Sequence, residues 1–242
     1  MFMVASAYGL ARLHSCHLYF TPVIIDEINA VFIFDFSSLL ISTAKFNSII
    51  NSTAKTLNRI IKSVGCQYIL ELTRPNAISP GNIFELQGYW QSYLHFLKYS
   101  DELRNHIFVA RQPIIEKVSK LFIDIYQQQF KFSPHFSFDN QQLFKKQLVQ
   151  SNWTTWIGIH IRRSDFLESF SVGDDLTALS LCEHSIITGG TFGWWAAYLA
   201  NGQVIHDKVY PSGCGRREYY YPSWFMIDGY VRAYKNSNNT LR

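Results

Sequence analysis

Apolar residues follow two kinds of spacing along the chain, one typical of helices and one typical of strands. Helical spacing covers Ala5 to His14 and the long stretch from Tyr99 to Tyr126, where Pro113 is suited to the first turn of a helix. Leu18 to Ile25 and Cys66 to Leu72 have the short apolar runs of β-strands. Helices that alternate with strands predict an α/β protein.

The other regions of the first 150 residues are more polar. From Asp26 to Gly65 apolar residues alternate with Ser, Thr and Asn, and their spacing predicts helices around Ile49, Ile50, Leu57, Ile60 and Ile61. Two prolines make Thr73 to Gly81 a predicted loop. Gln127 to Gln150 is rich in Gln and Lys and is broken by Ser133-Pro134. We therefore place the connection between an N-terminal α/β domain, residues 1–150, and a C-terminal domain, residues 151–242, in or near this segment.

The stretch from Trp156 to Asp165 changes abruptly from apolar to charged. Its alternation predicts a buried strand that carries charge at its carboxyl end, because successive strand side chains point to opposite faces. The predicted faces are Ile157, Ile159 and Ile161 on one side and Gly158, His160 and Arg162 on the other.

Arg162 and Arg163 therefore fall where an open parallel sheet binds its ligands, outside the carboxyl ends of the strands. The guanidinium fork matches phosphate oxygens, so the pair predicts an anion site. Considered alone, two arginines at a strand end are more often a solvated pair, and a lone histidine such as His160 is more often hydrogen-bonded and half-buried.

A second stretch has the pattern of a strand, a tight turn and a helix. The predicted elements are a strand from Ser185 to Thr188, a turn at Gly189-Gly190, a helix from Thr191 to Leu199 that Thr191 caps and Asn201-Gly202 ends, and a last strand from Gln203 to His206. A glycine turn that opens a helix exposes backbone N–H groups at the positive end of the helix dipole. The sequence therefore predicts a second anion site, although one such turn alone is ordinary βα chemistry.

Composition limits the classes of protein that fit. The 242 residues are 48% hydrophobic, which is typical of a globular chain, and the net charge of +4 is too modest for a broad nucleic-acid surface.

No run approaches the roughly 18 apolar residues that span a bilayer, and Arg12, His14 and His17 interrupt any signal peptide. These features alone would predict a cytosolic protein, whereas three glycosylation acceptor patterns, at Asn51, Asn152 and Asn238, point to a secretory one. The four cysteines lack the spacing of a metal site or a disulfide scaffold.

The two motif stretches together resemble the galactoside α1,2-fucosyltransferases, glycosyltransferase family 11. Gly158 to Asp165 is similar to the family's His-x-Arg-Arg-x-Asp motif, and Thr191 to Leu199 is similar to its second motif. Gly88 to Tyr93 and Ala5 to His14 resemble upstream segments of animal members. The resemblance implies a GT-B-like fold of two Rossmann-like domains, with the C-terminal one shortened. It also implies inverting transfer of fucose from GDP-fucose to a galactose 2-hydroxyl.

The resemblance also implies roles for individual residues. Arg162 would hold the diphosphate, and the rest of the catalytic motif would be His160, Arg163 and Asp165. Thr191, Phe192 and Gly193 would line the donor pocket beside the phosphate and the sugar. No metal or other cofactor is expected, because arginine would neutralise the leaving group and the chain has no Asp-x-Asp pair. The general base is not identified.

The family pattern sets further expectations. The partners would be GDP-fucose and a galactose-terminated glycan, without nucleic acid, and the location would be the lumenal side of the Golgi membrane. Membrane attachment would come only from an N-terminal anchor that this chain lacks. The start near Ala5 and the short segment from Phe166 to Leu181 indicate an N-terminally truncated and internally shortened member. The alternatives are a catalytically inert homologue, an incomplete gene model of the same family, or another GT-B glycosyltransferase.

Overall fold

In a computed structural model, helices alternate with small β-sheets, two of them parallel, so the α/β prediction is confirmed. The structure describes residues 1–33, 35–36, 38–52, 58–74, 77–78, 82–130, 136–138, 140–150, 154–160, 171–206, 214 and 216–225. The packing divides the chain into two units, which are described separately. Unit 1 comprises Met1–Asn29, Phe34–Ile107 and Pro211–Pro222, and unit 2 comprises Ala30–Ile33, Phe108–Tyr210 and Ser223–Arg242.

The two packing units need not coincide with functional domains. The division predicted at residue 150 therefore stays a prediction, as do the two Rossmann-like domains of a GT-B fold.

The elements have the following bounds. The main helices are α1 Phe2–His14, α2 Pro22–Asn29, α3 Thr43–Ser52, α4 Ser100–Glu102, α5 Gln112–Phe130, α6 Gln141–Gln150, α7 Val172–Leu181 and α8 Thr191–Ala200. The strands are β1 Phe32–Ile33, β2 Asn58–Ser63, β3 Ile83–Gly88, β4 Val109–Ala110, β5 Ile157–His160, β6 His184–Ile187 and β7 Val204–His206. Short 3-10 turns lie at Leu70–Thr73, Tyr93–His95, Leu97–Tyr99 and Arg217–Tyr219, and Leu103–Ile107 is a π-helical turn.

Unit 1 is built around the buried helix α1. The helix predicted from Ala5 to His14 is confirmed and begins three residues earlier. Gly9 lets it approach the backbone at His95 and Phe96, because a Cβ on Gly9 would lie 2.2 Å from the His95 carbonyl oxygen. The strand predicted from Leu18 to Ile25 is wrong. Pro22 begins helix α2 there, since its fixed φ favours the first helical turn, and Leu18 forms only an isolated bridge with Leu40.

Strands β2 and β3 of unit 1 pair in parallel, from Asn58 with Ile83 to Ser63 with Gly88. The helix predicted around Ile60 and Ile61 is therefore wrong, because these residues lie in β2. The strand predicted from Cys66 to Leu72 is also wrong, because a 3-10 turn begins at Leu70. The paired residues of β2 and β3 are 25 positions apart in sequence, so the spacing of apolar residues within either segment does not reveal the pairing.

A disulfide joins Cys66 to Cys214 within unit 1, with Cα atoms 4.7 Å apart and a sequence separation of 148 residues. Sequence spacing did not indicate this pair, because the loop that it closes spans more than half of the chain. Cys16 and Cys182 are free thiols, and burial raises the pKa of Cys182 to about 11.

The main sheet of unit 2 has three parallel strands in the order β5-β6-β7. Helices α7 and α8 pack together and cover one face of the sheet. On this face the space at Gly158 is tight, since a Cβ there would lie 3.2 to 3.3 Å from side-chain atoms of Leu179 and Cys182. A smaller antiparallel pair joins β1 to β4.

The opposite face of this sheet is open and apolar. Its isoleucines are between 37% and 57% exposed: Ile157, Ile159, Ile186 and Ile205. The prediction that β5 is a buried strand is therefore wrong for its isoleucine face, although the alternation itself is confirmed. The small Gly158 is on the buried face because α7 packs closely there.

Helices α5 and α6 complete the core of unit 2. Pro113 is the second residue of α5, which confirms the predicted helix start. Phe144 and Leu148 of α6 are buried in a cluster with Val118, Phe122 and Leu181. The polar segment from Gln127 to Gln150 thus contains a helix with an apolar face. Among the residues that the structure describes, no helix combines the length and the apolar character that crossing a membrane requires.

Candidate functional site

The carboxyl ends of β5, β6 and β7 lie along one edge of the parallel sheet. His160, Ile187 and His206 are in register there, and all three are on the face that the helices cover. Thr188 follows β6 at the same edge. Ligands of open parallel sheets bind outside such an edge, so this is the candidate site.

The ring of His160 lies against the first turn of α8. A Cβ on Gly193 would lie only 2.6 Å from His160 Nδ1, so glycine is needed for this contact. The Phe192 ring is 5.3 Å away between centroids, and Thr188 Oγ1 is at hydrogen-bonding distance, 3.4 Å, from His160 Nδ1. The structure thus brings together three of the residues predicted for the site: His160, Phe192 and Gly193.

The N-terminus of α8 has no side-chain cap. Gly190, with φ of 120°, is the N-cap residue, so the prediction that Thr191 caps the helix is wrong. The helix begins at Thr191, one residue earlier than a cap at Thr191 would place it, and Gly190 adopts a φ that favours glycine. Among the described residues, none accepts a hydrogen bond from the backbone N–H of Thr191, Phe192 or Gly193. These donors lie at the positive end of the helix dipole, an arrangement that can bind an anion.

Sequence reasoning predicted the strand that ends at His206, which the structure confirms as β7, but assigned no role to this residue. His206 is buried, and its ring centroid is 6.5 Å from that of Phe225. The available signal was the shared pattern of a short apolar run that ends in histidine, at His160 and again at His206.

The buried carboxylate of Asp174 has a structural role. It forms a capping box with Ser171 at the start of α7 and an ion pair with Lys117 of α5, with Nζ and Oδ2 2.5 Å apart. Burial alone would raise the pKa of Asp174, but hydrogen bonds from Lys117 and Ser171 outweigh it and hold the pKa below its ordinary value. Burial and the Asp174 charge raise the pKa of the neighbouring Asp175. Asp174 therefore joins α5 to α7.

Three residues of the predicted site, Arg162, Arg163 and Asp165, lie outside the described residues. In sequence, Arg162 comes two residues after His160, which is the last residue of β5. Their roles therefore stay predictions. Within the described ranges, no group of three or more His, Cys, Asp or Glu side chains is arranged to hold a metal ion.

Part of the chain, which includes strands β6 and β7 and helix α8, is similar to known proteins. Residues 170–224 match the family model of glycosyl transferase family 11. Galactoside alpha-(1,2)-fucosyltransferase 2 of Bos taurus is 39% identical over 70 residues, which are 26% of this chain and 20% of the relative. Galactoside alpha-(1,2)-fucosyltransferase 1 of Homo sapiens is 39% identical over 67 residues, which are 24% of this chain and 18% of the relative.

Galactoside alpha-(1,2)-fucosyltransferase 1 of Rattus norvegicus is 53% identical over 34 residues, which are 14% of this chain and 9% of the relative. The matched part of the chain thus spans about a fifth or less of these relatives. No solved structure matches the chain significantly. The family resemblance found from the sequence is confirmed over this part.

Proposed function

We propose that the protein transfers fucose from GDP-fucose to the 2-hydroxyl of a galactose-terminated glycan. The match of residues 170–224 to the family model of glycosyl transferase family 11 supports this proposal. The observation that carries the proposal is the first turn of α8, which lies beside His160 at the carboxyl edge of the parallel sheet and whose backbone N–H groups have no acceptor among the described residues. This edge suits the diphosphate of a sugar nucleotide.

The proposed reaction needs charge stabilisation where the leaving group forms. As the bond between the fucose C1 and the phosphate oxygen breaks, its electron pair leaves with GDP. Arg162 and Arg163 would neutralise this charge with the α8 terminus, because donors that are already oriented stabilise charge as it develops. The scheme requires no metal ion. Asp165 would orient one of the arginines.

His160 would act as a positioning residue. Its ring packs closely against Gly193 and so connects the end of β5 to the first turn of α8. Arg162 and the α8 terminus would then bind the same diphosphate. Inversion follows if the acceptor oxygen attacks C1 from the face opposite GDP. The proton of the acceptor hydroxyl would pass to water as the bond between the hydroxyl oxygen and C1 forms.

We also propose that the protein acts on the lumenal side of the Golgi membrane. The Cys66–Cys214 disulfide supports this location, because disulfides persist in oxidising compartments and are rare in the cytosol. The acceptor patterns for N-glycosylation, such as Asn51-Ser-Thr, favour the same compartment.

The second candidate is a catalytically inert homologue. One observation favours this candidate. Between β5 and β6 the described residues form the single helix α7, whereas family members carry a longer insert at this position. A single crossover helix is enough to join two parallel strands but adds no further strand to the nucleotide-binding layer.

A transfer assay distinguishes the two candidates. Purified protein is incubated with GDP-fucose carrying labelled fucose and a β-galactoside, and the product linkage is determined by nuclear magnetic resonance. The proposal predicts a 2-O-fucosylated product with inverted C1, and no product from the matched 2-deoxygalactoside. Binding of GDP without any transfer would contradict the proposed activity and support the inert homologue.

A further inference from the structure

Unit 1 contains a cleft of about 510 Å³ between strand β2 and the 3-10 turn at Leu70–Thr73. Its volume is within the usual range of small-molecule sites. The lining side chains are Arg59, Ile61, Ile69, Glu71, Leu72, Arg74 and Ala77. All of these residues belong to unit 1, whereas the β5-β6-β7 sheet belongs to unit 2, so the inference does not depend on the proposed function.

Two arginines and one glutamate face this cleft without ion pairs to other described residues. Arg59, Glu71 and Arg74 are all exposed, and no side-chain hydrogen bond joins any of them to the described part of the chain. Two other arginines of unit 1 form ion pairs, Arg12 with Glu102 and Arg104 with Asp101. The cleft therefore has a net positive charge and unused donors.

The floor of the cleft is apolar and well packed. Leu72 is 4% exposed and belongs to a cluster with Leu10 and Trp90, against which Ile61 and Ile69 also pack. A ligand on this floor needs an apolar face in addition to its charge.

We propose that this cleft binds a carboxylate-bearing sugar unit, such as the sialic or uronic acid of an acidic glycan. The two guanidinium groups can receive the carboxylate by paired hydrogen bonds. Glu71 can accept hydrogen bonds from sugar hydroxyls, and the C–H face of the ring fits against Ile61 and Leu72. Free phosphate fits less well because it has no apolar face and Glu71 repels its second charge.

The test is a calorimetric titration of the full chain with the methyl glycosides of N-acetylneuraminic acid and of glucuronic acid. Their neutral methyl esters, methyl galactoside and inorganic phosphate serve as comparison ligands. Saturable binding of at least one acid is expected, at least tenfold tighter than that of its ester or of phosphate. The two acids distinguish a sialylated from a uronic-acid ligand.

Variants then test the residues. Arg59→Gln and Arg74→Gln should each weaken binding of the acid at least tenfold, whereas Lys45→Gln, which removes an exposed positive charge on α3, should leave it unchanged. Equal binding of acid and ester, no binding of either acid, or full affinity in both arginine variants would overturn the proposal. If one variant fails to fold by circular dichroism, the other provides the same test. A separate titration with GDP reports on the proposed donor site, so the result for the cleft and the result for the donor site can be judged independently.

Discussion

At the scale of single residues, the contact between His160 and Gly193 best defines the candidate site. Alternation along β5 correctly predicted that His160 shares a face with Gly158. The sequence could not show that this ring lies against Gly193, because the two residues are on different elements and meet only through the packing of α8 on the sheet. Spacing within one strand predicts a face, and it does not predict which residue packs on it.

Gly193→Ala tests this contact. The new Cβ would lie 2.6 Å from His160 Nδ1, so the free energy of unfolding of the variant should be about 1 to 3 kcal/mol lower than that of the wild type. The measurement is denaturant unfolding. In a His160→Ala background the same substitution should cost much less, because the space that the ring occupied is then empty. Equal costs in both backgrounds would show that the contact is absent.

The buried His95 predicts a pH dependence of stability. Burial lowers its pKa from 6.5 to about 4, and a hydrogen bond between the ring and the Ser92 carbonyl only partly offsets this. Below pH 6.5 the unfolded chain binds a proton that the folded one does not, so stability falls between pH 6.5 and about 4. The expected loss is about 2 to 3 kcal/mol by the linkage relation.

Unfolding free energies measured at pH 7 and pH 4.5 check this expectation. His95→Gln should reduce the difference between the two pH values, whereas His17→Gln, which changes an exposed histidine, should keep it. An unchanged slope in the His95 variant would assign the pH dependence to other groups.

At the scale of elements, helices and strands with strong local signals were predicted well. The structure confirms helix α1, the start of α5 at Pro113 and strand β7. The predictions failed where a non-local partner decides the structure, as in β2, or where one proline overrides a short apolar run, as in α2. Burial of β5 also could not be predicted from its isoleucines, because only packing against α7 determines which face is covered.

The open isoleucine face gives a prediction at this scale. Ile159→Thr should change the free energy of unfolding by no more than about 0.5 kcal/mol, because the side chain is 57% exposed. Val204→Thr, on the covered face of β7, should cost about 1 to 3 kcal/mol, since the hydroxyl is buried there. Denaturant unfolding measures both. A large cost at Ile159 would mean that this face is covered in solution.

At the scale of the whole molecule, the chain forms two packing units, each assembled from segments that are distant in sequence. Composition and spacing predicted the α/β class, and residues 170–224 match the family model of glycosyl transferase family 11. The Cys66–Cys214 disulfide could not be predicted, because nothing near either cysteine indicates a partner 148 residues away.

Removing this disulfide tests the long-range assembly of unit 1. Replacing both Cys66 and Cys214 by serine should lower the free energy of unfolding by about 2 to 5 kcal/mol, because the crosslink restricts the unfolded chain over a long loop. Chemical unfolding without reductant is the measurement. Cys16→Ser, which changes a free thiol of the same unit, should have little effect. A wild-type protein whose unfolding is insensitive to reductant would contradict the pairing.

If the carboxyl edge of the β5-β6-β7 sheet binds a nucleoside diphosphate, as we propose, calorimetric titration with GDP should detect it. We expect saturable binding by the wild-type chain and by Lys120→Ala, which removes an exposed charge on α5. Arg162→Ala should weaken it about tenfold or more, because a charge-assisted contact to phosphate contributes about 1.5 to 3 kcal/mol. A folded chain that binds GDP equally well with and without Arg162 would contradict the account.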